Sequence, residues 1–441
     1  MLHIKKYSFR ELSLIVLLAA NSSLWVFESL LGMHILVVLL DMLALALLLL
    51  GADIRIQKKS CVLLLYVLGI LISVAVNGTT TRVLYRIVLI GITVLYGILF
   101  TYHPESIEAG KRCLIFFGLL MAVTVMLQFL LKDSFSNPFY SLLVEEDRKE
   151  VLFYYKRGYY PGLNVKPHET AGLLAVAMGA MMIDRWDTGK RYLPMVLLIP
   201  MLLSGKRAIT VLSVIAIVML YFLELFANRK GVRMLKMVLA VAVIGTLGLV
   251  VIMTNLDNPL FARFASLFNQ KSGTIIDSAR LNLWEDAVIV WKENPVLGIG
   301  WWNFNDLTVT RFKYARSHSV NLDYLQWLAE TGIVGFCLMF TPILVTMLRS
   351  VKMCIIAARG KLAPMYRKHV YFAVYLQMFI LAYALIEVPF YNNFFFTVYV
   401  FSVIVINTYY ARYKRNPQEM KTGYQPDSGR NRIRANPDEG N

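Results

Sequence analysis

The chain of 441 residues is 58 % hydrophobic and 17 % charged, with a mean hydropathy of +0.58. Soluble domains carry roughly 45–50 % apolar and about 25 % charged residues, so a soluble enzyme, a coiled coil and a disordered chain are excluded and an all-α polytopic membrane protein is indicated. The net charge of +17, from 45 Lys and Arg against 28 Asp and Glu, is explained by membrane topology and needs no nucleic-acid partner.

In chain order, unbroken apolar runs bounded by charge, Gly, Pro or Asn predict spans near residues 11–29, 33–51, 61–77, 82–101, 113–131 and 169–183. Six more follow near 191–204, 207–226, 234–254, 323–348, 369–388 and 393–410, about twelve in all. The basic first ten residues lead into an apolar run that lacks a small-residue cleavage site, which predicts an uncleaved first helix. Helices 1 to 5 occupy 1–131, a loop 132–168, helices 6 to 9 169–254, a large loop 255–322 between spans nine and ten, and helices 10 to 12 323–410. The polar, basic tail 411–441 is too poor in apolar residues to offset its ordering entropy and is expected to be disordered near anionic headgroups.

If the N-terminus is cytoplasmic, the inside segments carry 28 Lys and Arg against 10 Asp and Glu, whereas the two long outside loops carry 13 against 11. That asymmetry predicts that both termini are cytoplasmic and that both long loops lie outside. Cys61, Cys113, Cys337 and Cys354 show no metal-ligand or disulfide spacing and are expected to be packing residues. Asp41, deep in an early span, is either paired within the bundle or coupled to protons.

The candidate chemistry gathers at the outside face. Lys206 and Arg207 fall in the short turn Ser204-Gly205-Lys206-Arg207, either as snorkelling side chains or as a cationic hook for a phosphate. Ser278 to Ala287 begins an amphipathic helix with Leu281, Trp284, Ala287, Val288 and Trp291 on one face, expected to lie on the membrane. Arg280 near its N-terminus would add to the attraction for a pyrophosphate, or would pair with Asp277 or Asp286. Beyond Asn294-Pro295, two glycines in Gly298-Ile299-Gly300 permit a tight turn, and Trp301, Trp302 and Phe304 offer faces for sugar rings. His318 is a candidate base for an acceptor hydroxyl or an ordinary structural histidine, and Glu387 is either an arginine partner or an acceptor-site group. The first outside loop, near Gly32, has only Glu28 close by, and His168-Glu169 is too sparse for a metal, so no metal site is expected.

Several of these residues form a recognisable set: Arg280 and Trp284; Asn294-Pro295-Val296-Leu297-Gly298-Ile299-Gly300 and Phe304; Leu325-Gln326; Ala329-Glu330-Thr331-Gly332 and Gly335. The set resembles the signature of the O-antigen ligase and polysaccharide polymerase superfamily. Ser204-Gly205-Lys206-Arg207 resembles that family's arginine turn, and Gly162 to Gly172 its approach to the middle spans. The resemblance is concentrated in residues 200–340; the first 130 match only as apolar helices.

The resemblance implies a GT-C-like membrane fold in the bacterial cytoplasmic membrane, with the active site on its extracytoplasmic face and no cofactor or metal. It implies an undecaprenyl-pyrophosphate-linked glycan donor and a glycan or lipid acceptor, with membrane lipids and other polysaccharide assembly proteins as candidate partners. Carried over by position, Arg207 and Arg280 would grip the pyrophosphate, helped by Lys206, with Trp284, Glu330, Glu387, His168 and Asn321 as substrate-side residues. The family's loop histidine would orient or deprotonate the acceptor hydroxyl in an inverting transfer. Its usual position, nine residues before the Glu, is Asn321 here; His318 lies three residues earlier and would serve from the same helical face one turn away. The implied activity is polymerisation of repeat units, or ligation of a finished glycan; a transporter or flippase is the alternative from another class.

Overall fold

The computed structural model describes residues 8–31, 36–51, 56–100, 103–254 and 278–422. The first outside loop at Gly32, residues 255–277 with Asp277, the tail beyond 422 and the side chain of Glu28 lie outside the described residues.

The first half comprises α1 (Phe9–Leu31), α2 (Leu36–Leu50), α3 (Leu64–Asn77, preceded by a 3-10 turn at Cys61–Leu63), α4 (Thr81–Leu99) and α5 (Pro104–Leu131). Next come α6 (Asp133–Ser141), α7 (Glu145–Lys156), α8 (Pro167–Asp184), α9 (Leu198–Leu203), α10 (Arg207–Ala227) and α11 (Gly231–Thr254). The remainder is α12 (Ser278–Glu293), α13 (Phe304–Thr310), α14 (Asp323–Ala358), α15 (Pro364–Tyr383), α16 (Asn393–Arg415) and α17 (Pro417–Thr422). Among the described residues there is no strand, and the molecule is an all-α integral membrane protein.

Among the described residues each predicted apolar run contains helix, and five helices, α5, α10, α11, α14 and α16, are long and apolar enough to cross a membrane by themselves. The seventh run departs most from expectation. Pro194 and Pro200 divide it into a 3-10 turn, Leu193–Leu197, and the six-residue α9, together about 16 Å at 1.5 Å per residue, roughly half the hydrocarbon thickness. The predicted loop 132–168 also holds structure, since α6 and α7 fold onto a small core of Tyr140, Leu143, Val151 and Val165.

Apolar sequence alone does not say which helices are central; packing does. Along α16, 89 % of the apolar window is buried, against none of the window in α11, so α16 is the axis of the bundle and α11 an outer helix beside α10. Asn392 starts α16 by accepting from the N–H groups of Phe394 and Phe395, which satisfies two of the donors a helix start leaves open. Pro104, Pro167 and Pro364 open α5, α8 and α15 at the position where a missing N–H costs nothing. Cys113 and Cys354 are buried, Cys337 is exposed on the outer face of α14, and all four cysteines are free thiols.

One local feature positions everything at the end that carries residues 278–322. At 36 residues α14 is far longer than a span requires, and it is broken at Gly332, whose φ of 62° and ψ of −171° interrupt the helical ladder. The segment after Pro295 fills the break: Ile299 and Gly300 N–H donate to the carbonyls of Ala329 and Glu330, while Ile333 and Val334 N–H donate to those of Pro295 and Val296. The two backbones touch at glycines. A Cβ on Gly298 (φ 65°) would lie 2.3 Å from the Glu330 carbonyl carbon, and one on Gly332 2.3 Å from that of Val296. The glycines of the two motifs are thus two sides of one crossing. Gly332→Ala is expected to combine a clash with about 1–3 kcal/mol of left-handed strain and to lower the unfolding midpoint of the detergent-purified protein. Gly189→Ala, where a Cβ meets nothing within 4 Å, should leave it unchanged, and equal midpoints for both variants would contradict the crossing.

Candidate functional site

The crossing leaves a buried carboxylate to organise the loop. Glu330 Oε2 accepts from the Trp302 N–H (2.8 Å) and the Tyr391 hydroxyl (2.5 Å), and Oε1 from the Phe304 N–H (3.2 Å) and Gln326 Nε2 (3.1 Å). Trp302 has φ 72°, a conformation a bulky residue holds only when its surroundings fix it, and the bond to Glu330 is part of that fixing. Glu330 is wholly buried and its four donors come from the chain itself, the geometry of a residue that positions the loop. Tyr391 keeps its proton for Glu330, because burial and the neighbouring carboxylate push the phenol well above its usual range.

The loop packs as a second small core. Leu283, Ala287 and Val290, three residues of α12 at helical spacing, bury against Phe304, Val320 and Ala329. Ala287 and Trp284 of the predicted stripe belong to this core, which also takes in Leu283 and Val290, so this part of α12 packs onto the loop. Trp284 donates its indole N–H to the Val320 carbonyl (3.1 Å), a tie that fixes the loop. At the outer corner Arg311 forms a two-pronged ion pair with Glu293 (2.5 and 2.6 Å), which holds that carboxyl below its usual range. Asp286 accepts from Tyr314 (2.9 Å), whose hydroxyl burial and that carboxylate push up to about 12.

Arg280 does not pair with Asp286, and Asp277 lies outside the described residues. Its guanidinium donates to the Ile386 carbonyl (2.9 Å) and to Glu387 Oε1 (3.2 Å), and Lys206 Nζ lies 3.9 Å from the same oxygen. Glu387 is thus the arginine partner, and it joins two cations supplied from distant parts of the sequence. The turn bearing Lys206 is shaped by Gly205 (φ 83°), where a Cβ would lie 2.3 Å from the Tyr159 ring, and by Tyr160 N–H donating to the Leu203 carbonyl. Arg207 is the first residue of α10, half-buried beside Lys206. Tyr154, on α7, lies within the field of Glu387; burial first and that charge among others push its hydroxyl up to about 12.

Beside this cluster a cavity of about 230 Å³ opens into the bundle. Among the described residues Asn21 from α1, Tyr85 and Arg86 from α4, Lys166 just before α8, His168 and Glu169 at its start, Trp302 and Asn392 line it. His168 feels the charges of Lys206 and Lys166, so the cavity and the Arg280 cluster are electrostatic neighbours. Glu169 accepts from Asn392 Nδ2 (2.8 Å), and the Arg86 guanidinium lies 5.0 Å from the centre of the Trp302 ring. Of the three predicted sugar-facing aromatics only Trp302 lines the cavity; Trp301 is stacked on Tyr391 and Phe304 is buried. Asp41 is wholly buried; its Oδ1 accepts from Asn21 Nδ2 (2.8 Å), and its Oδ2 has no hydrogen-bond partner among the described residues.

His318 stands apart. Its ring is exposed and edge-on to Tyr314, 5.7 Å between centres, while the next residue, Ser319, reaches the cavity. The idea that His318 and Asn321 share a helical face is corrected, because α14 begins only at Asp323 and Asn321 has φ 58°. Asn321 accepts from the Ser319 hydroxyl (3.3 Å). Sequence reasoning passed over Arg86, although an arginine five residues inside an apolar run carries a cost that usually signals a wet or paired environment. It also passed over Lys166, in a segment already singled out by its glycines.

The fold and this end of the bundle define an all-α membrane protein with a polar cavity and a cluster of cations under a folded loop. Residues 192–340 match the family model described as O-Antigen ligase, which covers α10, the Arg280 helix and the glycine crossing and supports placement in the O-antigen ligase and polysaccharide polymerase superfamily. No curated protein matches the chain.

Glu330→Ala is expected to strand four donors, each unsatisfied buried group costing about 1–3 kcal/mol. The purified variant should melt earlier and show altered tryptophan emission from Trp302, and Glu330→Gln should be milder. A Glu330→Ala protein with wild-type melting and emission would remove Glu330 from this role.

Proposed function

We propose that the protein is a glycosyltransferase of the bacterial cytoplasmic membrane, GT-C-like, with about twelve spans and both termini in the cytoplasm. Its site faces the extracytoplasmic side, and its donor is an undecaprenyl-pyrophosphate-linked oligosaccharide. The observation that carries this reading is the meeting of Arg280 and Lys206 on Glu387, whose chain neighbour Val388 lines a polar cavity; Arg280, Lys206 and the adjoining Arg207 lie inside the region matched to the family. A cationic cluster suits a pyrophosphate leaving group, and a low-dielectric site strengthens each such contact.

In the proposed reaction the acceptor hydroxyl oxygen forms a bond to the donor's anomeric carbon while the bond from that carbon to the phosphate oxygen breaks, with inversion. The bonding electrons leave with the pyrophosphate, whose developing charge Arg280, Arg207 and Lys206 stabilise without a metal. The acceptor's proton passes to a histidine. His168 lines the cavity, whereas His318 is exposed beyond Ser319, so His168 is the better placed of the two.

Polymerisation of repeat units is the first reading, because the loop is modest in size and its exposed corner is closed by its own Arg311–Glu293 pair. Ligation of a finished glycan is favoured by the description of the matching family. A transporter would place its binding groups near the bilayer midplane at a repeat interface, whereas the cation cluster lies at helix ends.

Purified protein incubated with the lipid-linked oligosaccharide alone, without added metal, is expected to give a ladder of longer lipid-linked products. Product formed only after a second acceptor is added would make it a ligase. Arg280→Ala should slow product formation by about 10²–10³-fold while the protein stays folded in the membrane. His168→Ala should cost more than His318→Ala. Wild-type rates in Arg280→Ala and Arg207→Ala would overturn the site.

A further inference from the structure

We propose that the bundle binds an internal water at the turn Pro389–Tyr391, where it joins the carboxylate of Asp323 to the hydroxyls of Tyr66 and Tyr399. The inference does not depend on the glycosyltransferase reading. It concerns what holds the segment that carries Glu387 and Tyr391.

Asp323 opens α14 and is wholly buried. Its N–H donates to the Ala384 carbonyl (3.0 Å) and its Oδ2 accepts from the Phe390 N–H (3.0 Å), so it ties down that segment on both sides of Glu387. Its Oδ1 is sealed from solvent and has no hydrogen-bond partner among the described residues. One backbone donor is a poor set for a carboxylate in an apolar bundle, where polar groups must be satisfied internally.

Three donors are in the same condition around the same ring. The Tyr66 and Tyr399 hydroxyls and the Trp327 indole N–H are buried with no partner among the described residues. Their rings are centred 6.2, 5.0 and 5.1 Å from that of Phe390, whose own N–H is on Asp323. Tyr66 also lies within the electrostatic reach of both Asp323 and Tyr399. One acceptor and three donors, brought together by α3, α14 and α16, thus cluster with no direct bond between any two of them. Leaving them all unsatisfied is costly.

Water is the ligand that suits this set. It can accept from two of the donors while giving a proton to Asp323 Oδ1, about three bonds, the usual number for a buried water. A metal cation would answer the carboxylate but leave the hydroxyl and indole protons without an acceptor, and an apolar molecule would answer none of the four. Polar groups held beyond bonding distance of one another are commonly bridged in this way.

The test uses the full chain in lipid nanodiscs. A high-resolution cryo-EM map is expected to show a peak about 2.5–3.0 Å from Asp323 Oδ1 and from at least one of the two hydroxyls. Short X-ray pulses make hydroxyl radicals from bound as well as bulk water, so Tyr66 and Tyr399 should be oxidised about fivefold faster than Tyr375. Tyr375 is the control because it is as deeply buried but donates directly to the Ala175 carbonyl (2.8 Å). Tyr399→Phe should slow the oxidation of Tyr66, and Tyr66→Phe that of Tyr399, since each removes a partner of the shared water; a merely structural hydroxyl would not do so. Should neither variant fold, the map and the oxidation rates of the unaltered protein carry the test. No peak, oxidation no faster than at Tyr375, or rates unchanged by both substitutions would each overturn the inference. So would a peak that gains density when sodium in the buffer is replaced by thallium(I), which would mark a cation.

Discussion

The helix break at Gly332 and the backbone that fills it form the constraint on which the loop end depends. A continuous helix through residues 323–358 would satisfy its own hydrogen bonds and offer nothing to the loop. Opening it exposes carbonyls at Ala329 and Glu330 and N–H groups at Ile333 and Val334, and the segment from Pro295 to Gly300 pairs with all four. In an apolar bundle such groups must be satisfied internally. The pairing therefore fixes where the loop enters and leaves the bundle, and the Glu330 carboxylate extends the same order to Trp302, Phe304 and Tyr391. Gly69 on α3 packs on the Gly335 carbonyl, and Ser73 donates to the Glu330 carbonyl, so a second helix backs the crossing.

Much of this was legible in the sequence because it is encoded by residue types with narrow physical roles. The apolar runs marked their helices, and the glycines of Gly298-Ile299-Gly300 and Gly332 marked places where backbone must approach backbone. What could not be read was which distant segments meet. Arg280 and Glu387 are 107 positions apart, and nothing local to either tells that one oxygen of Glu387 also faces Lys206. The inward turn of α12 was hidden for a related reason. Its apolar residues cover a wide arc of the helix, and the loop core takes Ala287 and Trp284 from the predicted stripe together with Leu283 and Val290 beside it. The family resemblance made Glu330 a substrate-side residue, and nothing in the sequence around it tells that four donors of the chain itself converge on its carboxylate.

The cations on Glu387 raise a separate physical question, since Lys206 and Arg280 are like charges gathered at one oxygen. Two unit charges 4 Å apart interact by about 4 kcal/mol at the effective dielectric of a protein surface. Glu387 offsets this repulsion at rest by bonding Arg280 and standing near Lys206. On the proposed reading a pyrophosphate arriving there competes with Glu387 for the same donors. The carboxylate then acts as a placeholder that keeps the cations convergent before the substrate binds, and Arg280 keeps a second anchor on the Ile386 carbonyl throughout.

The same segment that holds Glu387 runs on into the cavity. Val388, Tyr391 and Asn392 line it, and Asn392 bonds Glu169 while capping α16, the most buried helix of the bundle. A change in the Glu387 pair would reach the cavity through five residues of backbone that are fixed at the far end by Tyr391 on Glu330 and by the α16 cap. Such a short, doubly tethered connection transmits displacement poorly and position well. On the proposed reading it favours a site in which the cation cluster and the cavity are held at constant separation, as a transfer between two bound groups requires, over one in which the two move relative to each other to carry a ligand through.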